Sequence, residues 1–185
     1  MRPAVIVVDM LKDTLEGDHR YAIKPFALEI VPAVNRLTEA ARNRSLPVIF
    51  AMDSFLRGDF LFQGRMKEHS IRGTKGAEVT DLLTQGASDI YLPKRRFSAF
   101  FKTDLDQTLR LHAVDTVVIA GIATHVCVLT TALDALSNDF RALIVEDCCA
   151  SFNREIHEKT LEIYRKNPLH PLLRIARLDE FLEEL

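Results

Sequence analysis

The chain has 185 residues, 48% of them hydrophobic, with 24 Lys+Arg against 26 Asp+Glu and a formal net charge of −2. A chain of this length buries about 70% of its extended surface on folding, so one domain spanning residues 1–185 is expected. The composition excludes intrinsic disorder, and the near-neutral balance leaves no basic face for nucleic acid. No apolar run approaches the roughly 20 residues that cross a bilayer. Ala4–Val8 is too short for a secretory signal core and meets Asp9 at once, so a soluble, cytoplasmic protein with no membrane partner is expected.

Short apolar runs alternate with stretches of helical periodicity. Ala4–Val8 has four β-branched residues in five and reads as a strand covered on both faces, delivering Asp9 at its carboxyl end. A carboxylate there either caps a turn or is paired and used. Ile30, Val34, Leu37 and Ala41 then fall at helical intervals. Val48–Met52 is a second strand, ending in Asp53. The stretch Asp53–Lys75 carries Gly58, Gly64, Gly73 and many charges without a clear period. A connection that long reads as a lid or binding loop, against the plainer reading of a surface insertion.

Ile90–Leu92 is the third strand, followed by Pro93 and Lys94. Beside Arg95 and Arg96, Lys94 alone reads as part of a solvated basic turn. The adjoining Phe97, Phe100 and Phe101 make the segment half aromatic, which suits a pocket wall. Leu105 and Leu109 mark a helix. Thr116–Ala120 forms a fourth strand and runs through Gly121-Ile122-Ala123-Thr124-His125-Val126-Cys127, where a helix carrying Leu129, Leu133 and Leu136 starts. Ala142–Val145 is the fifth strand, with Glu146, Asp147, Cys148 and Cys149 after it. A weaker strand around Leu172–Ile175 and a closing helix near Leu178–Leu182 complete the chain. This alternation predicts a three-layer α/β/α fold with a parallel, doubly wound sheet, whose ligands bind beyond the carboxyl ends of the strands.

Three cysteines cannot form an even disulfide framework, and no CxxC pair is present, so reduced thiols are expected. Cys127 has two readings. At a helix opening, free N–H groups and the helix dipole lower a thiol's pKa and can hold an oxyanion. A free cysteine is also commonly just a small buried hydrophobe. Taken alone, the residue leaves both open. With Asp9 and Lys94 at neighbouring strand ends, the set outlines a nucleophile, a base and a charge stabiliser.

These residues resemble the isochorismatase-like cysteine hydrolases, the group containing nicotinamidases, N-carbamoylsarcosine amidohydrolases and ureidoacrylate hydrolases. The resemblance covers essentially the whole chain. It rests on Val7-Val8-Asp9-Met10, on Gly73-Thr74 with Gly76-Ala77-Glu78, and on Lys94 followed by Phe97-Ser98-Ala99-Phe100. The most specific block is Gly121-Ile122-Ala123-Thr124-His125-Val126-Cys127-Val128. It implies a six-stranded parallel sheet of order 3-2-1-4-5-6, with Asp9 as general base, Lys94 as electrostatic partner and Cys127 as nucleophile. It further implies a non-proline cis peptide at Ile122–Ala123 and an oxyanion hole from the Ala123 and Cys127 N–H groups. Phe97, Phe100, Thr124, His125, Asp53 and His69 are the expected substrate-binding residues. A small-molecule substrate and a homodimer or homotetramer are also implied.

The chain departs from the nicotinamidase pattern, in which an Asp-x-His pair and a later His bind a metal. Asp53-Ser54-Phe55 keeps the acid but puts Phe where the first His stands, and His69 falls where the second would. Two ligands are fewer than a metal site keeps, so neither metal nor other cofactor is expected. The expected activity is thioester-mediated hydrolysis of a small amide, ureide or carbamoyl compound. The alternatives are nicotinamidase or isochorismatase-type vinyl ether hydrolysis, or a catalytically silent homologue that binds a small molecule.

A phospho-acceptor domain, with Asp53 as acceptor, lacks its acidic cluster, because Met10 and Leu11 follow Asp9. Nucleotide binding has neither a GxGxxG nor a Walker sequence to support it. His19, His112, His157 and His170 read as surface residues, and Cys148 and Cys149 as core or loop thiols.

Overall fold

The computed structural model describes residues 1–17 and 21–185, so His19 lies outside the described residues. Six strands form one all-parallel sheet: β1 (Pro3–Val8), β2 (Val48–Asp53), β3 (Ile90–Lys94), β4 (Thr116–Ile122), β5 (Arg141–Ala150) and β6 (Leu173–Ala176), in the order β3-β2-β1-β4-β5-β6. The helices are α1 (Lys12–Leu15), α2 (Lys24–Asn43), α3 (Leu105–Leu111), α4 (Leu129–Ser137), α5 (Arg154–Arg165) and α6 (Leu178–Glu184). No described helix is long and apolar enough to cross a membrane.

Strand alternation divides the core into two layers. Val5, Val7, Val118, Ala120, Leu143 and Val145 pack on one face against Ile30, Val34, Leu37 and Ala41 of α2 and Phe181 of α6. Ala4, Ile6, Val8, Val117, Ile119 and Ile144 pack on the other against Leu105 and Leu109 of α3, Ala132 of α4 and Leu161 of α5. Both faces being covered explains why β1 and β4 are apolar without alternation. In α4 the most buried positions are Thr131, Ala132 and Ala135, and Leu129, Leu133 and Leu136 pack only partly. Small residues let that helix approach the sheet closely, so the leucine spacing marked its flank rather than its buried face.

The fifth strand is longer than its apolar run. Glu146, Asp147, Cys148 and Cys149 belong to β5 rather than to a following loop. Pairing with β4 jumps from Ile119↔Ile144 to Gly121↔Cys149, and this irregularity carries the strand past its hydrophobic stretch. At Gly121 the backbone has φ +106, and a Cβ there would come within 2.1 Å of the Val8 carbonyl oxygen. Only glycine allows β4 to lie this close to the end of β1, where strand order reverses and a crevice opens.

Candidate active site

Four strand ends deliver the central residues to that crevice. Asp9 follows β1 in the left-handed region, with φ +54, a conformation that aspartate tolerates better than most residues. Its N–H donates to the Ala51 carbonyl at 2.9 Å, fixing the residue on β2. Asp53 and Lys94 are the last residues of β2 and β3, in register with each other. Cys127 sits in a single π-helical turn, Thr124–Val128, between β4 and α4. Isolated π turns inside or beside helices recur at functional sites. The Ile122–Ala123 peptide that leads into this turn is cis.

Lys94 is the hub. Its fully buried ammonium donates to Asp9 Oδ2 at 2.8 Å, to Asp53 Oδ1 at 2.5 Å and to Cys127 Sγ at 3.7 Å. The remaining Asp9 oxygen, Oδ1, accepts the Asp53 N–H at 2.8 Å. A buried ammonium without such partners would cost several kcal/mol, about what one ion loses on leaving water. Two carboxylates and one ammonium leave this buried set with a formal charge of −1.

The electrostatics follow from that crowding. Burial first, and then the Asp53 carboxylate, push Asp9 from 3.8 up to about 6. Burial works against the Lys94 ammonium, but the Asp53 and Asp9 charges outweigh it and hold its pKa well above the ordinary lysine value. Burial also pushes the Cys127 thiol well up, even though Lys94 acts to lower it. The expectation of a thiol acidified by a helix opening is therefore corrected. Cys127 is only 7% exposed and its sulfur faces two carboxylates, so the resting group is the thiol and its proton has Asp9 as a nearby acceptor.

A cavity of about 850 Å³ opens onto this set and is lined by Asp9, Asp53, Ala123 and Cys127 together with Phe55, Phe97, Phe152 and His69. Of the expected substrate-binding residues, Phe97, Asp53 and His69 are in its wall. Phe100, Thr124 and His125 are not. Phe100 turns away to pack on Phe140, with ring centroids 5.9 Å apart. Thr124 is buried, with Oγ1 2.8 Å from His157 Nδ1, and His125 Nδ1 lies 2.6 Å from Ser151 Oγ. Those two contacts hold the Thr124–Val128 turn, so His157 is half-buried and structural rather than a free surface residue. Burial holds its pKa below the ordinary histidine value.

The segment after β2 forms an ordered cover. Phe55 packs edge-on against Phe62 and His69, at centroid distances of 5.2 and 5.4 Å. Buried Asp59 accepts from Arg95 at 2.5 Å and from Arg96 at 3.2 Å, tying the cover to the loop that follows Lys94. Gly76 lets the chain close over Asp13, where a Cβ would fall 2.0 Å from Oδ1. The Asp13 carboxylate in turn accepts the Ser70 N–H at 2.7 Å. Asp59, Asp13, Ser70 and Phe152 were missed in the sequence, because no motif marks residues whose partners lie far along the chain.

The donor atoms of Asp9, Asp53 and Cys127 lie within 4.8 Å of one another, close enough to converge on one ion. The Lys94 ammonium contacts all three, so a divalent cation would have to compete with a fixed positive charge. Among the described residues His69 joins no such cluster, and its Nδ1 is engaged by the Lys67 carbonyl at 2.9 Å. A nicotinamidase-type metal site does not fit these residues.

A family model described as the isochorismatase domain matches residues 3–173. An Arabidopsis thaliana protein described as a probable inactive nicotinamidase is 35% identical over 169 residues, covering 83% of each chain. An isochorismatase-like hydrolase from Alkaliphilus metalliredigens superposes with a TM-score of 0.88 at 29% identity, over 100% of this chain and 99% of that one. N-carbamoylsarcosine amidase from Thermoplasma acidophilum gives a TM-score of 0.83 at 32% identity, over 97% of this chain and 98% of that one.

Proposed function

The chain belongs to the isochorismatase family of hydrolases, and from that premise we propose that it cleaves the C–N bond of a small amide, ureide or carbamoyl compound through a thioester on Cys127. The observation that carries this reading is the simultaneous contact of Lys94 Nζ with Asp9 Oδ2 and Cys127 Sγ, at 2.8 and 3.7 Å. The similarity to N-carbamoylsarcosine amidase supports the same chemistry.

Asp9 takes the thiol proton as Cys127 Sγ attacks the carbonyl carbon, forming the S–C bond. Lys94 stabilises the negative charge passing between sulfur and carboxylate. Backbone N–H groups of Ala123 and Cys127 receive the carbonyl oxygen as it becomes an oxyanion. Collapse of the tetrahedral species breaks the C–N bond, and protonated Asp9 returns its proton to the leaving nitrogen. Asp9 then activates water against the thioester, and the acid is released with the thiol restored. A base with a pKa of about 6 suits this cycle, because it is ionised at neutral pH yet basic enough to accept a proton.

The test is a panel of small amides, ureides and carbamoyl amino acids, read by ammonia release and by intact mass for an acyl adduct on Cys127. Turnover with a trapped adduct is expected. A panel that yields neither would leave the chain as a silent binding homologue. The pH profile is a second check. Asp9 works in its ionised form, so kcat/KM should fall tenfold per unit below about pH 6 and stay level above it through the neutral range. A profile rising instead through the ordinary thiol range would shift the activating role away from Asp9.

A further inference from the structure

Asp9 and Asp53 share one ammonium, yet they are not equivalent. Both oxygens of Asp9 are committed, Oδ2 to Lys94 Nζ at 2.8 Å and Oδ1 to the Asp53 N–H at 2.8 Å. Asp53 commits only Oδ1, which accepts from Lys94 at 2.5 Å, and its Oδ2 has no hydrogen-bond partner among the described residues. That atom is not sealed in the core either, because the one buried side-chain polar atom without a partner there is Ser70 Oγ. Asp53 is 8% exposed and lines the crevice, so the space that Oδ2 meets is the cavity over Cys127. An ionised oxygen without a donor in a nearly buried site is costly, and a ligand N–H that satisfies it gains more than an ordinary hydrogen bond.

Distance says which N–H. A carboxylate oxygen of Asp53 lies within 4.8 Å of Cys127 Sγ. A carbonyl carbon ready for attack stands about 3–3.5 Å from the sulfur. Its substituents lie one bond further, so the nitrogen of an amide on that carbon comes within hydrogen-bond reach of Asp53. Lys94 has no donor to spare for Oδ2, since its ammonium directs one proton each to Asp9, Asp53 and Cys127.

We propose that Asp53 is a specificity-determining residue whose Oδ2 accepts an N–H from the nitrogen attached to the scissile carbonyl. This rests on the hydrolase reading for which carbonyl is attacked, but the binding it requires is separable. An ester or vinyl ether oxygen in the same place brings lone pairs against a carboxylate and leaves that carboxylate unpaired, so it is rejected. As the tetrahedral species collapses, the nitrogen loses its bond to carbon and takes one proton, from Asp9, while Asp53 neither gives nor receives one. Holding the existing N–H fixes where the nitrogen lone pair points during that transfer.

Four probes that differ only in the group on one carbonyl test this: benzamide, N-methylbenzamide, N,N-dimethylbenzamide and methyl benzoate. They are titrated by calorimetry into the Cys127→Ala protein, which cannot form a thioester. The two with an N–H should bind about tenfold or more tighter than the two without, the scale of one hydrogen bond to a charged group. When Asp53→Asn is added, Lys94 holds the new side chain by its oxygen, so its NH2 group faces the ligand. The preference should then vanish or invert in favour of methyl benzoate. Should that double variant fail to fold, the ranking of the four probes in Cys127→Ala decides by itself. Equal binding of all four, no binding of any, or an N–H preference that survives Asp53→Asn overturns the assignment. Selective binding of the N–H probes, with no panel amide hydrolysed by the unsubstituted protein, keeps the role of Asp53 and sinks the hydrolase reading. Binding without that preference, together with an acyl adduct on Cys127, does the reverse.

Discussion

Replacing Cys127 by Ala should lower turnover by about 10,000-fold or more, the scale seen when a covalent nucleophile is removed, while stability changes by about 1 kcal/mol or less. The side chain is small and touches the cavity, so little packing is lost. The acyl adduct should vanish with it. Cys127→Ser is the sharper variant, because it keeps the shape and changes the nucleophile. A hydroxyl in this buried site is far harder to deprotonate than a thiol, and Asp9 at about 6 is too weak a base for it. If the serine variant keeps activity within tenfold, the chemistry is not the sulfur's. The carboxylates would then be acting directly on substrate or water, as vinyl ether hydrolysis would require.

Replacing Lys94 by Met should strike both stability and chemistry. Among the described residues, the fully buried ammonium is the only cation in contact with the Asp9 and Asp53 side chains. Removing one member of a buried ion pair typically costs about 3–5 kcal/mol. Here part of that cost is recovered when one of the two carboxylates takes up a proton. The variant's native state then binds more protons than its unfolded state between about pH 4 and 7, so its stability rises as pH falls. Denaturant melts at pH 7.5 and 5.5 should therefore show a larger deficit at the higher pH. Turnover should drop by about 100-fold or more, as when a preorganised charge stabiliser is removed. A Lys94→Met protein with the parent's midpoint at pH 7.5 would contradict the account of Lys94 as the group that makes the acid pair tolerable.

The same physics explains the unusual Asp9. Because its folded-state pKa is raised above 3.8, ionising it costs folding free energy as pH rises from about 4 through about 6. The fold bears that cost at neutral pH, together with a left-handed backbone at the same residue. Both are consistent with a carboxylate kept for proton transfer rather than for stability.

Much of the fold was legible because each central strand is a run of apolar residues covered on both faces. Ala4–Val8, Val48–Met52 and Thr116–Ala120 all became central strands, and Ile30, Val34, Leu37 and Ala41 all became the buried face of α2. The run Ala142–Val145 under-reported β5, since its continuation is polar and pairs across an irregularity. The positions of Asp9, Lys94 and Cys127 at strand ends could be read from the chain, as could the missing nicotinamidase histidine at Phe55. Three of the expected crevice residues, Phe100, Thr124 and His125, lie elsewhere. Adjacency to Cys127 along the chain says nothing about which way a side chain points once a π turn intervenes.

Sequence by itself determined the layered α/β architecture, the strand that carries each polar group and the family, because these depend on local periodicity and on short contiguous motifs. Tertiary structure alone decided that one ammonium would join two carboxylates and a thiol, that burial would raise the thiol's pKa rather than lower it, and that the buried Ser70 hydroxyl would be left without a hydrogen-bond partner among the described residues. Those outcomes depend on distances between residues dozens of positions apart and on how much water is excluded around them, and neither quantity is written in the order of the amino acids.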